Sequence, residues 1–120
     1  MRTYRLSVEA EEDIADLLAY TEDRFGEIAR RRYEALLVTG LRDVSANPER
    51  HGSVARPELG QDVRSYHLRH SRDRGAGGTL RRPRHLLLYR VSRPDLIGIG
   101  RVLHNAMEIE RHLPSQYGDE

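Results

Sequence analysis

The stretch Leu96-Ile97-Gly98-Ile99-Gly100-Arg101-Val102-Leu103-His104 alternates branched residues with glycine and then closes on Val102 and Leu103. That is the pattern of a largely buried strand. Gly98 and Gly100 leave one face nearly bare of side chains, so another backbone or a packed helix can approach it closely. Asn105 to Leu113 follow at once and read as a short polar helix carrying Met107, Ile109 and Leu113. Arg101 and His104 stand where the strand runs out into the turn, the first place to look for a site.

Working outward, Arg93-Pro94-Asp95 is a turn signal, and His85 to Ser92 before it is the clearest central strand. Arg64 to Arg69 also alternates, with Tyr66 and Leu68 on one side. These three segments predict a three-stranded antiparallel meander. Residues 48 to 63 carry Pro48, Gly52, Pro57 and Gly60 and read as irregular. Ile14, Leu17, Leu18, Thr21 and Phe25 form one helical stripe, opened by Ser7 as N-cap and broken at Gly26. Ala29, Tyr33, Leu36, Leu37, Leu41 and Val44 form a second, stopped by Asn47-Pro48, with Gly40 on the same face where it lets the helices close up. The two helices predict an antiparallel hairpin. Thr3 to Leu6 add an N-terminal strand, and Ser115 to Glu120, beyond Pro114, a frayed tail. The fold class is α+β, with helices on one face of a small sheet.

The chain has 120 residues, which suits one domain with a modest core, domain 1–120 ending in a flexible 114–120. Its 38% hydrophobic content includes no Trp, and 32% of residues are charged, so a partner is expected to add stability. A net charge of +1 argues against a generic nucleic-acid coat. All twenty basic residues are Arg, whose planar donors suit carboxylates and phosphates. There is no Cys, hence no disulfide, thiol chemistry or thiolate metal site. No apolar run reaches the length of a membrane span or signal-peptide core, and a soluble cytoplasmic protein is expected.

The segment from His70 to Arg84 reads as a loop, with Gly75, Gly77 and Gly78 among Arg69, Arg72, Arg74, Arg81, Arg82 and Arg84. Such a cationic loop suits phosphates or a carboxylate-rich peptide, and Arg90 and Arg101 on neighbouring strands extend the patch. His67 and His70, three apart on a strand, face opposite ways, and no clustered carboxylate completes a metal set with His104 and His112. No metal or cofactor is expected. His104 reads as a turn-organising or packed histidine. Neither a Ser-His-Asp set nor a phosphate-binding glycine loop is present, and the acids at 9 to 13 read as a helix N-terminus.

Gly100-Arg-Val-Leu-His-Asn-Ala-Met-Glu-Ile-Glu-Arg-His-Leu113 resembles the C-terminal signature of the ParE branch of the RelE/ParE toxins, the toxin halves of bacterial toxin–antitoxin pairs. Tyr4-Arg-Leu-Ser-Val-Glu-Ala-Glu-Glu-Asp-Ile14 is similar to the start of the same family. The loop 70–84 is longer than the tight hairpin usual there. The resemblance implies a type II toxin that inhibits DNA gyrase by protein–protein binding, without catalysis, in a hetero-oligomer with a ParD-like antitoxin that neutralises it. Target or antitoxin would meet Arg69, Arg72, Arg74, Arg81, Arg82, Arg84, Arg90, Arg101 and His104. The alternative is a ribosome-dependent mRNA endonuclease of the RelE type. It would draw charge from Arg69, Arg81 and Arg90 and use Tyr117 as its tyrosine.

Overall fold

A computed structural model describes residues 2–74, 83–104 and 109–119. The elements are β1 (Thr3–Leu6), α1 (Val8–Phe25), α2 (Glu27–Ala46), β2 (Ser53–Ala55), β3 (Val63–His67), β4 (His85–Arg93) and β5 (Leu96–His104). The strands form one five-stranded sheet in the order β1-β5-β4-β3-β2. It is mixed: β1 runs parallel to β5, and the other pairs are antiparallel. The expected three-stranded antiparallel meander is corrected accordingly, since β3, β4 and β5 are flanked by β1 and β2. The strand β2 lies inside the stretch read as irregular. Three residues between Gly52 and Arg56 are too few to show a period, and only pairing with Arg64, Ser65 and Tyr66 makes them a strand.

The α+β class and the helix pair stand as expected. Ser7 caps α1 by accepting from the Ala10 N–H at 3.0 Å, and its hydroxyl donates to the Gly100 carbonyl at 2.7 Å. The Ser7 N–H donates to the Ile99 carbonyl, so one residue starts the helix and fixes it to β5. Gly26, at φ 94°, makes the tight turn between the helices, where a side chain would be strained. Leu17, Leu36, Leu37, Leu41 and Val44 bury against Tyr66, Leu87, Tyr89, Ile97 and Ile99 on one face of the sheet. Phe25, expected in the stripe, is exposed at the hairpin tip. Gly40 does not serve helix–helix contact. A Cβ there would lie 2.5 Å from Leu68 Cδ2, so the glycine admits the segment after β3.

The expected strand to Arg69 ends at His67, and a 3₁₀ helix, Leu68–Arg74, follows where a loop was expected. After β5 the expected polar helix is reduced, in its described part, to the 3₁₀ helix Ile109–His112; Met107 lies outside the described residues.

The bare face of β5 is filled, as its glycines allowed. The filling is the segment expected to fray. Tyr117 is buried, and a Cβ at Gly98 or Gly100 would come within 2.9 or 2.6 Å of its atoms. Gly118, at φ 82°, lies against the backbone of Leu6 and Ser7. Ser115 donates twice to Glu9, at 2.8 and 3.0 Å. Val63, Leu88 and Tyr117 thus form a second apolar cluster on the face away from the helices. Hydrophobic periodicity could not reveal this, because Tyr117 is alone among polar residues.

Candidate functional site

The sheet gathers three histidines at one end. His67 ends β3, His85 begins β4 and His104 ends β5, with His85 opposite His104 and His67 opposite Leu86. The rings of His85 and His104 meet edge to face at 5.5 Å. Tyr33 reaches this end from α2. Its hydroxyl accepts from the Arg84 N–H at 3.1 Å and lies 2.7 Å from His85 Nδ1. With the Arg84 N–H donating to it, the hydroxyl is placed to donate to Nδ1, which puts the ring proton of neutral His85 on Nε2.

Burial makes the His67 and His85 imidazoles poor bases. His85 is pushed down to about 4, mainly by burial and further by His104 and His67, against a smaller opposing effect of Asp13. His67 is also pushed down to about 4, by burial and then by Arg69 and His70. The Arg69 N–H donates to His67 Nδ1 at 3.1 Å, leaving the proton on Nε2, which is buried without a partner among the described residues. Burial raises the Tyr33 hydroxyl. At neutral pH His67 and His85 are uncharged rings, with the exposed residues Arg69, Arg72 and Arg84 beside them in the chain. Such an arrangement can receive carboxylates or phosphates through its arginines.

The 3₁₀ helix bearing Arg69 and Arg72 is anchored from beneath. Ser71 is fully buried and donates to Asp43 Oδ2 at 2.6 Å, and the Tyr66 hydroxyl lies 2.7 Å from Ser71 Oγ. Arg50 pairs with the same carboxylate at 2.7 Å. The His70 ring packs over Gly52, whose φ of 96° keeps that position free of a side chain. Asp43 had one sequence signal, a carboxylate between Leu41 and Val44 on the buried side of α2. Tyr33 stands in the apolar stripe of α2, which signals core rather than a site, and Ser71 carries no signal.

Arg90 and Arg101, both expected contact residues, pair with carboxylates of the chain itself. Arg101 donates through Nε and Nη2 to both oxygens of Asp13, at 2.7 and 2.9 Å, and through Nη1 to the His112 carbonyl. Asp13 also accepts the Val102 N–H, on the margin of β5 beyond the end of β1. Arg90 donates to both oxygens of Asp119, at 3.1 and 2.6 Å, and stacks on the Tyr117 ring 4.5 Å from its centroid. Long-range pairing, rather than a neighbour in sequence, holds each guanidinium. The expected shared patch is therefore divided: Arg69, Arg72 and Arg84 are exposed, His104 packs on His85, and Arg90 and Arg101 brace the fold. Arg81, Arg82, Gly75, Gly77, Gly78 and the side chain of Arg74 lie outside the described residues.

Among the described residues no group of three or more His, Asp or Glu could hold a metal ion, and no helix is long and apolar enough to cross a membrane. A family model, ParE toxin of type II toxin-antitoxin system, parDE, matches residues 4–109. A search of curated proteins finds no match.

Proposed function

Because the chain belongs to the ParE toxins of type II toxin–antitoxin systems, we propose that it binds DNA gyrase as a protein inhibitor and that a ParD-like antitoxin neutralises it. Gyrase as target makes the cytoplasm its place of action. The observation that carries this reading over the ribonuclease alternative is the pairing of Arg90 with Tyr117 and Asp119. An endonuclease would need that tyrosine and that arginine to reach RNA. Here the tyrosine is buried over the glycines of β5 and the guanidinium is held by a carboxylate whose side chain is 1% exposed.

Arg69, Arg72 and Arg84 are the groups we assign to target or antitoxin. An antitoxin tail that orders on binding would set carboxylates against them and apolar anchors beside them. The test is purified, antitoxin-free protein incubated with gyrase and plasmid. Loss of supercoiling or trapped cleavage complexes is expected, with intact mRNA on ribosomes. Cleaved mRNA with unimpaired gyrase would reverse the assignment.

A further inference from the structure

At the end of the sheet opposite the histidines, the start of β1, the ends of β2 and β4, the start of β3 and the segment just after α2 surround a cleft of about 520 Å3. Pro48, Ala55, Pro57, Val63 and Val91 contribute apolar wall, and Arg2 lies in it. Arg2 Nε is buried and has no hydrogen-bond partner among the described residues. Only His67 Nε2 shares that state there. Buried polar groups are nearly always paired, so an orphaned guanidinium N–H on a residue that lines a cleft indicates an acceptor from outside the chain, reached by a turn of the Arg2 side chain.

We propose that this cleft receives a carboxylate carried on a peptide segment of a partner protein, with Arg2 as the binding group. The Nε–H and the adjacent Nη–H form a side-on fork that matches the two oxygens of one carboxylate. The other cation in the lining, Arg64, is already held by Ser53 Oγ at 2.7 Å and faces Glu49 at 4.0 Å. Glu49 and Asp62 also line the cleft. Two acids against two arginines leave no net positive field, which disfavours a polyphosphate or nucleic-acid backbone and suits a single negative charge. The apolar wall suits aliphatic residues flanking the acid, and the amides of Asn47 and Gln61 can meet its backbone. This inference stands apart from the gyrase reading, because it concerns the opposite end of the sheet and is tested without gyrase or antitoxin.

The experiment titrates the nitrogen-15-labelled 120-residue chain with acetyl-Val-Glu-Leu-amide, its Gln analogue, sodium acetate and inorganic phosphate. The signals followed are the Arg2 Nε–H and the amides of Gln61, Val63 and Val91. Expected are saturable shifts with the Glu peptide and binding of the Gln analogue at least about tenfold weaker. Arg2→Gln should abolish the response, and Arg2→Lys, which keeps the charge without the fork, should weaken it. Ala55→Glu, at an exposed position in the lining, should block the peptide in a chain that keeps Arg2. An equal response to both peptides, or one that survives Arg2→Gln, would overturn the proposal. So would acetate or phosphate binding as tightly as the peptide.

Discussion

Arg101 grips both carboxylate oxygens of Asp13, at 2.7 and 2.9 Å, across 88 residues of sequence. The pair joins the end of β5 to the first turns of α1, and both side chains are only 16% exposed. Arg101 is thereby a brace between layers.

Arg101→Ala should therefore act through stability, lowering it by about 2–3 kcal/mol, because Asp13 keeps its charge in a half-buried place without its main partner. Urea unfolding of Arg101→Ala, Asp13→Ala and the double variant would measure this. The double variant should lose clearly less than the sum of the singles. Strict additivity, or an unchanged midpoint in Arg101→Ala, would refute the brace.

Gly100→Ala should detach the C-terminal segment, since the new Cβ would fall 2.6 Å from both Pro114 and the Tyr117 ring. A cost of about 1–3 kcal/mol is expected for such overpacking. Tyr117→Ala alone should cost about 2–4 kcal/mol through the cavity it leaves. Gly100→Ala should then be milder in a Tyr117→Ala, Pro114→Ala background, where both clashes are relieved. Equal effects of Gly100→Ala in both backgrounds would show that the segment does not lie over β5.

Asp43→Ala removes the acceptor of both Ser71 and Arg50. We expect a loss of about 2–4 kcal/mol and faster amide exchange through the 3₁₀ helix Leu68–Arg74. Unchanged exchange in that helix would mean that Asp43 does not anchor it.

Stability should fall as the solution is acidified. His67 and His85 have folded values near 4 against an ordinary 6.5, so between those limits the unfolded chain takes up protons that the folded chain refuses. Their favourable contribution is complete above about pH 6.5 and is lost as pH falls towards 4. His85→Gln should flatten part of that slope in urea unfolding at pH 7.5, 5.5 and 4.5. A slope the same as that of the unaltered chain would exclude His85 as a source.

Arg84→Ala and Arg69→Ala test the assigned contact surface. Neither residue lies in the core, so unfolding midpoints should stay within about 0.5 kcal/mol of the parent. Antitoxin or gyrase affinity should fall several-fold. Parental affinity in the double variant would remove this end of the sheet from the interface.

The sequence by itself determined what repeats along the chain. The stripes of α1 and α2, the breaks at Gly26 and Pro48, the strands around Leu87 and Ile99, and the open face at Gly98 and Gly100 all carry local periods or turn chemistry. Only the tertiary structure decided what fills and pairs those elements. Three residues became β2 because β3 lay beside them, and Tyr117 closed the glycine face although it belongs to no apolar period. Arg90 and Arg101 read as free cations because a side chain's charge is visible in sequence while its counter-ion, 29 or 88 residues away, is not. Periodicity is a property of neighbours in the chain, whereas the pairing of a buried charge is a property of neighbours in space.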